Sequence, residues 1–238
     1  MGLWCVVPAG GSGTRVGADV PKQYLPLAGR PLLSWTLDAL AALAPEAIVL
    51  VVAPDDDRAR SLPGPPACLI VTATGGATRA ASVLAGLEAL AGRAAPDDWV
   101  LVHDAARPCL APALARRLLA AVADHPDGGL LAEPAAETVK EACRAEGPPR
   151  VVRTLDRDRL WLAQTPQAFR HGVLLRALAG ALATGRAVTD EASAVEAAGG
   201  APLLVPGARA NLKVTRPEDL PLAEFWLDRM HGDGARCP

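Results

Sequence analysis

The feature that most narrows the folds open to this chain is an alternation. Runs that are apolar at nearly every position recur along it: LWCVV (3–7), AIVLVVA (47–53), ACLIVTA (67–73) and the head of DWVLVHDAARP (98–108). A strand with one face in water alternates apolar and polar residues. A strand that is apolar throughout is covered on both faces, the usual condition of a parallel sheet. GGLLAEP (128–134) and APLLVPG (201–207) read as further strands. Residues 31–43, 78–92, 112–125, 171–184 and 190–198 read as helices, and in 112–125 Leu114, Leu118, Leu119 and Val122 share one face. Pro31 suits a first helical turn, and Thr215 with Glu218 reads as a T-x-x-E capping box for a closing helix. These readings predict an α/β chain with a Rossmann-like, mostly parallel sheet and helices on both faces.

The alternation breaks at about 135–160, where two short β-like runs flank a Glu-Gly-Pro-Pro turn. This predicts a protruding β-hairpin arm. A lone two-stranded arm is marginally stable in water, so it is expected to pack on something, most economically a second copy of the chain. No linker interrupts the 238 residues, and one domain over 1–238 is expected.

In sheets of this kind, ligands bind beyond the carboxyl ends of the strands. Three polar clusters stand at such ends: 8–22, 73–79 and 103–108. The first, PAGGSGTRVGADVPK, lacks the Gly-Lys-Ser/Thr of a P-loop, and Gly11, Gly13 and Gly17 are spaced one residue too widely for a dinucleotide fingerprint. A dehydrogenase is disfavoured on the same ground. Residues 10–14 nevertheless offer successive backbone N–H groups to an anion, and Arg15 and Lys22 add two positive charges, which suits a polyphosphate.

Composition sharpens this. Of 24 basic residues only Lys22, Lys140 and Lys213 are lysines. In a chain biased so strongly to arginine, a lysine that persists points to a need for a compact ammonium. The second cluster brings Gly75 and Gly76 next to Arg79 and Ser82, a turn whose backbone can read the polar edge of a base. In the third, Asp104 can hold ribose hydroxyls or a Mg²⁺ bridging phosphates, with Arg107 beside it. His103 reads as a core-edge histidine rather than a base. No Ser-His-Asp or Cys-His arrangement suggests itself. Phosphoryl or nucleotidyl transfer, in which the protein positions substrates and neutralises charge, fits this set.

Several classes are disfavoured. A net charge of −2 leaves no basic face for nonspecific nucleic-acid binding. The five cysteines are scattered, with no C-x-x-C pair to support a zinc site or a disulfide framework. The amino-terminal apolar run is too short to span a bilayer and lacks a charged leader, so a cytoplasmic enzyme without membrane attachment is expected.

PAGGSGTR…PKQYLPLAGRPLL, GGATRAASVLAGL, VLVHDAARPCL, AQTPQAF, TDEASAVE and NLKVTRPEDLPLAE occur in the order found in one enzyme family. The chain resembles the 2-C-methyl-D-erythritol 4-phosphate cytidylyltransferases over roughly residues 3 to 229. The resemblance implies a single nucleotidyltransferase domain that joins CTP to methylerythritol phosphate, with Mg²⁺ as cofactor and pyrophosphate as leaving group. It implies that Arg15 and Lys22 stabilise the α-phosphate, and that Arg157 and Lys213 position methylerythritol phosphate. By the same resemblance, Asp104 sits by ribose and metal with Arg107 supporting its loop. Ala9, Gly10, Gly11, Gly75, Gly76 and Ser82 surround the nucleotide, while Thr138 and Thr165 contact the second substrate. It further implies a homodimer whose arms exchange, so that Thr138 and Arg157 serve the neighbouring site. Two alternatives stay open: a cytidylyltransferase for another polyol phosphate such as ribitol 5-phosphate, and a nucleotide-binding regulator without turnover.

Overall fold

The structure is a computed structural model that describes residues 1–11, 20–62, 64–65, 68–143 and 147–232. The strands and helices run, in chain order, β1 (Leu3–Pro8), β2 (Pro26–Leu27), β3 (Arg30–Pro31), α1 (Leu32–Ala41), β4 (Ala47–Val52), β5 (Ile70–Thr74), α2 (Arg79–Glu88) and β6 (Trp99–Val102). They continue with α3 (Pro112–Val122), β7 (Gly129–Pro134), β8 (Lys140–Ala142), β9 (Val151–Thr154), β10 (Trp161–Arg170), α4 (His171–Ala183), α5 (Glu191–Ala197), β11 (Leu203–Pro206) and α6 (Asp219–Gly232).

Seven strands form the main sheet, in the order β11-β7-β10-β6-β1-β4-β5. Every pairing is parallel except those of β10, which runs antiparallel to both β6 and β7. The alternating sides of β1 divide the core. Trp4 and Val6 pack with Val83 and Leu87 of α2, Leu174 and Leu178 of α4, and Val195 of α5. Cys5 and Val7 face the opposite layer, with Leu33, Leu37 and Leu40 of α1 and Ala115, Leu118 and Val122 of α3. A third cluster seats α6, through Ala223 and Leu227, against Leu27, Leu32, Cys109 and Val214.

Helix α2 lies unusually near the sheet. At Gly86 a Cβ would come within 2.6 Å of Val6 Cγ1 and 2.8 Å of Val51 Cγ2, so only glycine permits this approach. The approach carries the first turn of α2, with Arg79 and Ser82, to the carboxyl ends of the central strands. Thr78 caps this helix, its hydroxyl accepting from the Ala81 N–H at 3.1 Å.

Several expectations are corrected. AQTPQAF lies in β10, a strand that reading for apolar runs passes over because Gln164, Thr165, Pro166 and Gln167 interrupt the pattern. The third expected strand begins at Ile70 rather than 67, and as a sheet edge it is only partly buried. Pro31 precedes the first turn of α1 instead of lying in it. The capping box of Thr215 and Glu218 does not form. Instead the carboxylate of Asp219 accepts from the Thr215 N–H at 2.7 Å, the Thr215 hydroxyl at 2.9 Å and the Arg216 N–H at 2.8 Å. The expected hairpin is present: β8 and β9 pair antiparallel as a separate two-stranded sheet, with Val151 and Val152 exposed.

Candidate active site

β1 has β4 on one side and β6 on the other, so the loops leaving β1 and β6 open a crevice at the carboxyl end of the sheet. A cavity of about 280 Å³ lies there, lined by Ala9, Gly10, Gly11, Lys22, Ser82, Asp104 and Lys213 among others. Segments separated by nearly two hundred positions therefore meet in one place. Arg79 lines the same cavity.

Each side chain has an identifiable support. Lys22 starts a single tight turn, Lys22–Tyr24, whose next residue is buried. The Gln23 amide donates to Ala9 O at 2.6 Å, fastening the turn to the end of β1, and the Tyr24 hydroxyl donates to Asp56 at 2.7 Å. The Lys22 ammonium itself donates to Val214 O at 3.1 Å, directly beside Lys213 in sequence. The 207–214 loop is held in turn: the Val214 N–H donates to Ala106 O at 2.8 Å, and the Arg107 guanidinium to Asn211 O at 2.6 Å. Gly75 and Gly76 do not appear on the cavity wall. They form the turn before α2, where the Gly76 N–H donates to the Ser82 hydroxyl at 3.1 Å. A Cβ on Gly76 would stand 2.6 Å from Ala81 Cβ, so the turn closes only with glycine.

At the centre is a charge cluster that the sequence did not disclose. Arg79 grips the buried Glu191 with two donors, at 2.6 and 3.2 Å, and reaches Asp104 at 3.0 and 3.1 Å. The other oxygen of Asp104 lies 2.8 Å from Lys213 and 3.6 Å from Arg107. Burial pushes the Asp104 carboxyl up, but Arg79 and Lys213 beside it outweigh this and hold it well below the usual carboxylate range. Glu191 goes the other way, raised by burial and only partly compensated by Arg79. Burial also lowers Arg107. Lys213 is thus paired with Asp104.

A second cavity, of about 250 Å³, adjoins the first across this cluster and is lined by Arg107, Gln164, Thr165, Thr189 and Asp190, together with Arg79, Asp104 and Lys213. His103 is fully buried behind it, bonded to Thr165 and to Arg107 O, and burial lowers its imidazole to about 4. That agrees with its reading as a core-edge residue.

Not all expected residues converge. Arg157 and Thr138 are exposed near the arm, and the Arg157 guanidinium donates to Ala136 O at 2.9 Å. Neither lines these two cavities. Arg15, Gly13 and Gly17 lie outside the described residues. Reading the sequence assigned no role to Glu191, Gln23, Asn211 or Gln164. Asp190 with Ser193 does form a capping box that starts α5, a pattern open to a sequence reader, and it would have drawn attention to Glu191.

Among the described residues, no group of three or more His, Cys, Asp or Glu side chains is placed to hold a metal ion. A magnesium ion delivered on a triphosphate, commonly held by one or two carboxylates together with substrate phosphates and water, would share Asp104 with Arg79 and Lys213. Three positive side chains lining one cavity, Lys22, Arg79 and Lys213, a glycine-bearing strand end and a second cavity across a shared carboxylate can hold two phosphorylated substrates side by side.

Comparison with known proteins agrees. The sequence profile of the 2-C-methyl-D-erythritol 4-phosphate cytidylyltransferase family matches residues 3–229. A protein of that name from Bordetella petrii is 57% identical over 94% of this chain and 98% of its own length. Another from Azoarcus is 52% identical, covering 96% and 95% of the two chains. Among solved structures, a 4-diphosphocytidyl-2C-methyl-D-erythritol synthase superposes with a TM-score of 0.81 at 36% identity, covering 95% of this chain and 99% of that one. The Thermus thermophilus 2-C-methyl-D-erythritol 4-phosphate cytidylyltransferase gives a TM-score of 0.76 at 33% identity, covering 96% and 100%.

Proposed function

Because the chain belongs to the 2-C-methyl-D-erythritol 4-phosphate cytidylyltransferase family, we propose how its two cavities divide the work of that reaction. The enzyme transfers CMP from CTP to 2-C-methyl-D-erythritol 4-phosphate in non-mevalonate isoprenoid biosynthesis. A phosphate oxygen of methylerythritol phosphate forms a bond to the α-phosphorus, and the bond from that phosphorus to the β-phosphate oxygen breaks. The products are 4-diphosphocytidyl-2-C-methyl-D-erythritol and pyrophosphate.

In our reading the first cavity takes the nucleotide. Ala9, Gly10 and Gly11 face it from the end of β1, while Ser82 with Gly75 and Gly76 shapes the base end. Lys22, together with Arg15, meets the charge that grows on the α-phosphate, a preorganised electrostatic role that requires no nucleophile from the protein. The second cavity takes methylerythritol phosphate, with Arg107, Thr165 and Lys213 around it. Asp104, shared by both, holds the ribose and, with the nucleotide, Mg²⁺, which supplies charge neutralisation on the phosphates. The observation that carries this division is the salt bridge of Lys213 to Asp104 at 2.8 Å, between two residues that line both cavities. Arg157 and Thr138 lie away from both cavities of their own chain. We assign them to a neighbouring copy, which makes the single domain of 1–238 a homodimer through its 135–160 arm. A cytoplasmic location is part of this proposal, supported by the free state of the four described cysteines. No described helix is long and apolar enough to cross a membrane.

A pyrophosphate-release assay tests the substrate assignment. Turnover is expected with CTP and methylerythritol phosphate. Turnover with ribitol 5-phosphate alone would overturn the assignment, and CTP binding without any turnover would favour a regulator.

A further inference from the structure

The donor and acceptor inventory around His103 fixes which way one hydroxyl of the second cavity points. His103 has no exposed surface, and its ring joins two elements of the site: Nε2 lies 3.1 Å from Arg107 O, and Nδ1 lies 3.1 Å from Thr165 Oγ1. A carbonyl oxygen can only accept, so the ring hydrogen sits on Nε2. A ring sealed from water stays neutral, which leaves a bare lone pair at Nδ1. The hydrogen of the Thr165 hydroxyl must then point at Nδ1. The same Thr165 oxygen accepts from the Asp104 N–H at 3.0 Å. A hydroxyl has one hydrogen and two lone pairs. Here the hydrogen and one lone pair are committed to the protein, and a single lone pair is left on a residue that lines the second cavity.

We propose that His103 is a positioning residue that makes the Thr165 hydroxyl a pure acceptor, so that Thr165 selects a hydroxyl group of the polyol phosphate and not its phosphoryl oxygens. Phosphoryl oxygens accept and cannot pair with it. They fall to the cations Arg107 and Lys213 on the same cavity wall. The identity of the ligand rests on the function proposed above, whereas the orientation of the hydroxyl rests on the protein alone.

Two measurements test it separately. In the wild-type protein labelled with ¹⁵N-histidine, NMR at neutral pH is expected to show His103 as a neutral ring protonated at Nε2 and bare at Nδ1, its signals assigned by their loss in His103→Gln. A hydrogen on Nδ1 would overturn the proposal. The second measurement uses methylerythritol phosphates in which each hydroxyl in turn is replaced by fluorine, which cannot donate. One position is expected to raise KM about tenfold, the scale of one lost hydrogen bond, with kcat little changed. In His103→Leu the Thr165 hydrogen is released, and the ratio of KM values between that analogue and the parent should shrink toward one. The ratio is taken within one protein, so loss of folded enzyme cancels. No discriminated position in the wild type, or the same ratio in both proteins, would overturn the proposal. If the parent compound is not turned over at all, the function proposed above fails, and the NMR result still decides the orientation.

Discussion

Arg79 commits its guanidinium to two carboxylates, one of them the almost completely buried Glu191. Removing one partner of such a pair leaves a charge in the interior with nothing to balance it. Arg79→Met is therefore expected to destabilise the fold by about 3–5 kcal/mol at neutral pH. The signs of the shifts give this loss a pH dependence. Glu191 has a raised folded pKa, so its ionised form opposes folding at neutral pH and the penalty fades as the pH falls toward the ordinary glutamate value. Asp104 is depressed, so its contribution is present above the ordinary aspartate value and is lost as the pH falls below it. Urea unfolding should thus show a smaller deficit for Arg79→Met at about pH 5 than at pH 7, because Glu191 can then take up a proton while Asp104 stays ionised beside Lys213 and Arg107. An equal deficit at both would contradict the pairing. Lys22→Ala should lower kcat by roughly 10²–10³ with a smaller effect on CTP affinity, and near-normal turnover would contradict its role. At this scale the sequence was partly legible. The scarcity of lysine singled out Lys22 and Lys213 together. Glu191 stayed hidden: the capping box beside it marks only where α5 starts, and the partner that keeps its carboxylate in the interior is 112 positions away.

Elements were easiest to read where the chemistry is simplest. β1, β4 and β6 are apolar because both of their faces are covered, and the sequence shows this directly. β10 failed the same test for a functional reason. Its buried glutamines are held by their surroundings: Gln167 donates to Asp190 at 2.8 Å and accepts from the Ala192 N–H at 2.8 Å, and Gln164 donates to Ala208 O at 3.0 Å. A strand that supplies a site its polar groups cannot also display an unbroken apolar run. α2 depends on its glycine. Gly86→Ala forces a methyl group against two valines of the sheet and should cost about 1–3 kcal/mol, read from the urea midpoint. It should also lower turnover, since Arg79 and Ser82 ride on the same helix. Unchanged stability would mean that α2 does not lie as close as described.

For the molecule as a whole, the sequence foretold the α/β architecture and the arm but not the strand order, which depends on pairings between segments far apart in the chain. The arm raises the largest question of assembly. Its strands expose Val151 and Val152, at 64% and 59%, and Leu162 nearby is 60% exposed. Apolar side chains so open are suited to burial against another copy. Arg157, at the base of this arm, lines neither cavity of its own chain. The central claim is that charges from the cavities of one chain and the arm of another meet on the substrates. Mixed dimers of Lys22→Ala and Arg157→Ala chains test it most directly. Each parent should be nearly inactive, whereas an equal mixture should recover about a quarter of wild-type activity, because half of randomly formed dimers are mixed and each has one intact site. No recovery in verified mixed dimers would show instead that every chain completes its own site.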